Sequence, residues 1–333
     1  MYNSMVMKSA ALMLIVSTCL SVLGCSQQDG GFAGGRPLAT AAERSSWQSS
    51  YATGQAVATG HYRIYTTAKT HALLEYLPGF MEAAYQNYLE LTGLSEPTSA
   101  NRMPIYMLGT RDEWAALTNK VTGPLAEAYL QIEAGGYCFN GACVFWDIGS
   151  LQTLSVSSHE GLHQFFHQRL THRLPAWLEE GLCATTEGYE IRNDVVRFTP
   201  ERNTSRFNDL RSALTAGWWI GLRDLLPMDA GDVVKHRTEK AVGYYGQLWA
   251  LVLFIRSRPE YRLGMQRMLA DAETGKLHET TDFSPEAFTA LLQRGKLYNR
   301  AVSEKLFRSY ICTDLEGFDR EFHEFAERLA GLR

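Results

Sequence analysis

His159-Glu160-Gly161-Leu162-His163 is an HExxH pentapeptide. On a helix the two histidines project from one face, one turn apart, so both imidazoles reach a single metal ion. Glu160 then stands beside that ion as a base for water. A hydrolytic metal centre takes a third protein ligand and leaves its fourth position to water. The segment Leu174-Pro175-Ala176-Trp177-Leu178-Glu179-Glu180-Gly181-Leu182 offers one. Pro175 is suited to open a second helix, Glu180 falls in its second turn, and Gly181 lets helices approach closely. Glu179 points roughly 100° away round that helix, so only one of the two carboxylates is expected to face the histidines.

HExxH followed by P-x-W-L-x-E-G-L resembles the gluzincin metallopeptidases, specifically the peptidase MA-like branch, which includes exported bacterial proteins of unassigned substrate. The similarity runs from about Tyr62 to Arg256. It implies that His159 and His163 are zinc histidines and Glu160 the general base. It also implies that Glu180, directly before the glycine, is the third ligand, with Zn2+ as cofactor and a peptide or protein as substrate. Metzincins carry Gly and His three and six residues after the second histidine. Phe166 and Arg169 stand there, which excludes that class. The acidic residue that thermolysin-like relatives place four after the ligand is Ala184 here, so Glu187, a further turn along, is the candidate to orient a histidine. Cys183 occupies a position where relatives carry small residues. Relatives of the aminopeptidase type supply a tyrosine from a downstream helix, which points to Tyr245 as the donor that steadies negative charge on the attacked carbonyl. His167 and His172 are read as packed or surface histidines. No GxMEN-like segment occurs, which tilts the reading toward endopeptidase action or an unusual specificity without choosing between endo- and aminopeptidase.

These residues need elements to hold them. Strand patterns at 62–67 and 103–108 flank a helical pattern at 73–94, and a short helix follows at 111–120. A hairpin around Asn140 precedes two helices, 154–169 and 175–188, and the remainder is mainly helical. This order predicts an α+β fold: a small mixed sheet packed on helices that include the HExxH helix, then a helical half, with a cleft between them. The subdomains expected are 61–200 and 201–333. In the hairpin, Asn140-Gly141 suits a type I′ turn that sets Cys138 opposite Cys143 at a non-hydrogen-bonded pair, close enough for a disulfide. Cys183 and Cys312 pair only by elimination, and two buried free thiols are an equal alternative. In enzymes of the family resembled, such a hairpin provides the edge on which substrate peptide pairs.

The rest of the chain sets the location. Lys8 and the apolar run 10–22 form a leader too short to span a bilayer comfortably. Val22-Leu23-Gly24-Cys25 resembles the lipobox of bacterial lipoproteins, which implies removal of residues 1–24, acylation of Cys25 and anchoring in the membrane. Ser26 after the cysteine favours the outer membrane by the same resemblance. Residues 25–60, rich in Gly, Ser, Ala and Gln, read as a flexible tether. The formal charge is −4 and pI about 6.2, which gives no basis for nucleic-acid binding. The leading expectation is a lipid-anchored zinc peptidase. The alternatives are a non-catalytic envelope protein that keeps the fold for binding or assembly, and an amidase acting on cell-wall peptides.

Overall fold

A computed structural model describes residues 34–49, 53–98, 101–229 and 239–333. The expected leader (1–24) and the lipidation site Cys25 lie outside the described residues. The fold is α+β. Its main sheet has six strands in the order β2-β3-β4-β5-β7-β6, formed by Glu43–Gln48 (β2), Thr53–Ala58 (β3), Tyr62–Thr66 (β4), Met103–Leu108 (β5), Gly136–Phe139 (β6) and Ala142–Trp146 (β7). β4, β5 and β7 are parallel, and antiparallel strands flank them on both sides. The parallel steps cross over through α1 (His71–Thr92), α2 (Arg111–Thr122) and the short α3 (Ala126–Tyr129). Strand alternation sorts the side chains of β7: Cys143 and Phe145 join the core on the face of α1 and α4 (Ser150–Arg169), whereas Val144 and Trp146 pack with Trp114 of α2.

After α4 come α5 (Ala176–Thr186) and a hairpin of β8 (Tyr189–Arg192) and β9 (Val195–Phe198), which pairs with β1 (Arg36–Pro37) as a second sheet. The helical part follows as α6 (Thr204–Thr215), α7 (Leu222–Leu225), α8 (Glu239–Ser257), α9 (Pro259–Glu273), α10 (Pro285–Leu292), α11 (Lys296–Tyr310) and α12 (Leu315–Leu329). Leu248 to Ile255 of α8 are all buried, as a helix apolar on every side must be. It packs against α5, α6, α9 and α12, so the helices of the late half close over those of the early half. Gly35–Arg333 form one compact unit across the subdomain divide expected at 200. Among the described residues, no helix is long and apolar enough to cross a membrane.

Two expectations are corrected. The tether does not extend to residue 60, because β1, β2 and β3 all lie within it. Strand pairing draws on backbone hydrogen bonds, so a stretch poor in large apolar residues can still join a sheet when a few side chains anchor it. Here Val57 is buried and Trp47 lies against Tyr65 and Tyr106. The second correction concerns the Cys138–Cys143 disulfide. Asn140 and Gly141 both have positive φ (49° and 73°), and Cys138 does sit opposite Cys143. Yet both thiols are free, as are those of Cys183 and Cys312. The Cys143 thiol turns to α4, donating to the Glu160 carbonyl (3.2 Å) and approaching Gln164 Oε1 (3.5 Å).

Leu38 is pinned beside α1, since a Cβ on Gly79 would come within 1.7 Å of the Leu38 carbonyl oxygen. Gly79→Ala is therefore expected to lower stability by about 1–3 kcal/mol through overpacking. Thermal unfolding of residues 26–333 measures this; an unchanged midpoint would show that 36–38 do not dock on α1.

Candidate metal centre

His159 and His163 occupy successive turns of α4, with ring centroids 5.1 Å apart. Their Nε2 atoms converge on one oxygen of α5: Glu180 Oε2 is 3.5 Å from His159 and 3.7 Å from His163. A tetrahedral zinc site with bonds of about 2.0–2.2 Å has ligand-to-ligand edges of about 3.3–3.6 Å, and the two distances to Glu180 Oε2 are close to such edges. Each ring is held from behind. His159 Nδ1 lies 2.8 Å from Glu187 Oε1, and His163 Nδ1 lies 2.8 Å from Glu179 Oε1. When each Nδ1–H donates to its carboxylate, both Nε2 lone pairs are left for a metal.

Glu179 was not anticipated in this role. The two nitrogens of an imidazole lie on different edges of the ring, so adjacent carboxylates on α5 can serve both, one taking Nδ1 while the other faces Nε2. Glu187 is in turn held by residues the sequence reading did not single out. Arg206 grips it with two bonds (Nε to Oε2, 2.9 Å; Nη2 to Oε1, 2.7 Å), and Asn203 Nδ2 donates to Oε2 at 2.9 Å. Asn203 also caps α6 by accepting from the Arg206 N–H, so one turn of chain sets both contacts. A sequence signal existed: an arginine in the first turn opposes the helix dipole unless something else satisfies it. Ser155 and Ser158 of α4 donate to the carbonyls of Glu187 and Thr186, fixing the end of α5 against the histidine helix.

Close packing sets these elements. A Cβ on Gly161 would meet Tyr88 Oη at 2.5 Å, so α4 lies directly on α1. Gly181 does permit a close approach, but the helix it admits is α8: a Cβ there would come within 2.8 Å of the Leu248 carbonyl oxygen. Gln164, just after the motif, donates to the carbonyls of Pro104 and Gly141 (both 2.7 Å), tying α4 to β5 and the hairpin turn.

Charge follows from this geometry. Burial opposes a charged ring, but hydrogen bonds from Glu180 and then Glu187 lift the His159 pKa to about 9. Burial likewise opposes the ionised Glu180, yet His163 and His159 hold it well below the usual carboxylate range. Glu187 is pulled down to about 2 against burial, chiefly by Arg206. Glu160 behaves differently. Burial raises its pKa in spite of the two histidines, and the nearby Cys138 backbone pulls it the other way. Tyr245, on α8, shares this environment: burial first, then Glu180, push its hydroxyl up, and its ring carries the Arg206 guanidinium 4.9 Å from the centroid. Its neighbour Tyr244 is fully buried and donates to the Met228 carbonyl. His167 is exposed, and His172 is buried near His278.

A second candidate ligand sits close by. Cys183 Sγ and one ring nitrogen each of His159 and His163 all lie within 4.8 Å of one another. Burial pushes the Cys183 thiol up to about 12, whereas Glu180 is ionised, so Glu180 is the better third ligand of the two. On the far side of Glu187, a cleft of about 580 Å³ is lined by Gln152, Ser155, Glu190, Arg192 and Arg202 among others.

Compared with protein-family models, curated proteins and solved structures, the chain has no match.

Glu187→Ala is expected to weaken zinc binding about 10–100-fold, and Arg206→Lys to shift it in the same direction. Competition with a chromophoric chelator, alongside unchanged far-ultraviolet circular dichroism, is the check. Parental affinity in Glu187→Ala would mean that this carboxylate does not hold the His159 ring.

Proposed function

We propose that the chain is a zinc-dependent peptidase of the gluzincin kind, exported and anchored to the bacterial envelope through lipid on Cys25. The observation that carries the catalytic part is the convergence of His159 Nε2, His163 Nε2 and Glu180 Oε2, with a separate carboxylate behind each imidazole and Glu160 alongside. A motif matched by chance in a polar helix has no reason to come with all of these partners.

Zinc held by His159, His163 and Glu180 supplies Lewis acidity, polarising a carbonyl and lowering the pKa of water to about 7. Glu160 does the proton work. It takes a proton from the attacking water as the new C–O bond forms, and delivers it to the amide nitrogen as the C–N bond breaks. Burial suits it to this task, because a carboxyl whose pKa is raised holds a proton more readily than an exposed one. Tyr245 provides a hydroxyl from the opposite wall for the oxygen that becomes negative. The guanidinium of Arg206 against its ring limits how far that side chain can swing.

Substrate placement follows from strand order. β6 is an edge strand, and Cys138 lies at a non-hydrogen-bonded pair with Cys143, so its N–H and C=O point away from β7. The Cys138 backbone lies near enough to Glu160 to act on its charge, which puts the base beside the free edge. An extended peptide added to that edge brings its backbone amides past Glu160. This favours peptides as substrates and cleavage within an extended segment.

The primary experiment is elemental analysis of residues 26–333 beside His163→Ala, with digestion of a broad peptide library. About one zinc per chain in the parent is expected, with loss in the mutant; a parent that takes up no zinc when it is supplied overturns the reading. Glu160→Gln should keep its zinc and lose hydrolysis by about 10²–10⁴-fold. Full zinc-dependent cleavage in that variant would remove Glu160 from the chemistry. Tyr245→Phe is expected to lower kcat about 10²-fold with KM little changed; an unaltered kcat would reassign Tyr245 to packing.

A further inference from the structure

Cys183 lies three residues after Glu180, one turn along neighbouring faces of α5. Its side chain is fully buried, and its sulfur and a ring nitrogen from each histidine fall within 4.8 Å of one another. A structural reading would make it a small core side chain, one of the commonest uses of a buried cysteine. Core filling alone does not require the sulfur to be directed at the two histidines. Tight packing of α5 on α8 at Gly181, and of α4 on α1 at Gly161, holds the sulfur and both rings on fixed elements.

Zn–S bonds of about 2.3 Å with Zn–N bonds of about 2.0–2.1 Å set a sulfur-to-nitrogen edge of about 3.5 Å in a tetrahedron. The sulfur-to-nitrogen spacing of the observed cluster, at most 4.8 Å, exceeds that edge by no more than about 1.3 Å, a gap within the reach of a side-chain rotation. We propose that Cys183 is a fourth protein ligand of the metal held by His159, His163 and Glu180. This rests on the metal-centre reading above and deepens it. As the metal–sulfur bond forms, the S–H bond breaks and its proton passes to solvent; no electron is transferred. The resulting set of two nitrogens, one oxygen and one sulfur completes a tetrahedron and closes the site, as in structural zinc centres. Water gains the fourth position only when the sulfur withdraws, so the coordination sphere itself makes the resting protein latent. A thiolate also tilts the site toward zinc and cobalt and away from magnesium and calcium, which prefer oxygen.

The test is zinc K-edge X-ray absorption on zinc-loaded residues 26–333, with visible and near-ultraviolet absorption of the cobalt-substituted protein. Expected is one sulfur at about 2.3 Å beside nitrogen and oxygen at about 2.0–2.2 Å. A sulfur-to-cobalt charge-transfer band should accompany it. Both signals should vanish in Cys183→Ser and persist in Cys143→Ser, whose sulfur faces the Glu160 carbonyl instead. A parent with only nitrogen and oxygen neighbours overturns the role of Cys183 and leaves the metal centre standing. Sulfur that persists in Cys183→Ser, or that disappears in Cys143→Ser, likewise overturns it. Failure to bind zinc at all overturns both readings. Should Cys183→Ser fail to fold, the parent spectrum decides whether sulfur is bound, and Cys143→Ser decides whether it belongs to Cys143.

Discussion

Glu179, Glu180 and Glu187 bring three carboxylates to one spot where their side chains are 21%, 15% and 9% exposed. Charge that is this shielded from water must be opposed nearby or it will not stay charged. Arg206 opposes one of the three; the others look to the imidazoles of His159 and His163, and against burial the His159 pKa is raised by Glu180 and Glu187, that of His163 by Cys183 and then Glu180. The same electrostatic demand can be met by protons on the rings or by one divalent cation between them, and the cation leaves each imidazole neutral and bound through Nε2. The four helices that core burial brings to this point supply the groups that meet that demand.

The division of labour among those helices is physical. α4 presents the two histidines and Glu160, and α5 presents Glu179, Glu180 and Cys183. Each lies close on a second helix at a glycine, so neither can rotate its face away without a clash. α6 and α8 then come from the late half of the chain with Arg206 and Tyr245. Arg206 touches both, through bonds to Glu187 and stacking on Tyr245. One guanidinium thus links the carboxylate behind the His159 ring to the ring of Tyr245. The sheet contributes differently, by ending at β6 with Cys138 near Glu160.

Three cysteines surround the HExxH helix, and they differ in what they face. Cys143 donates to the backbone of α4, Cys138 lies beside Cys143 across the hairpin, and Cys183 lies near the histidines. Direct opposition across a hairpin was therefore a poor guide to bonding. The pairing rule describes where two Cβ atoms lie, whereas a thiol also has other acceptors within reach, and here the Glu160 carbonyl accepts from Cys143.

Local spacing alone determined a good deal of this protein. Two histidines four apart, the Pro175-to-Gly181 segment, the Asn140-Gly141 turn and the alternating runs near Tyr62 and Met103 each express a backbone periodicity. Such features need no knowledge of distant residues, which is why the α+β class, the histidine helix and the hairpin register could be read directly. The strands within 36–58 were not legible, because their side chains are small and their pairing depends on β4 and β9 elsewhere in the chain. Nor could spacing show that Glu179 and Glu180 both serve the histidines, that Gly181 admits α8, or that Arg206 grips Glu187. Those are contacts between elements brought together by burial of a shared core, and only the tertiary structure decides which polar groups that burial leaves facing one another.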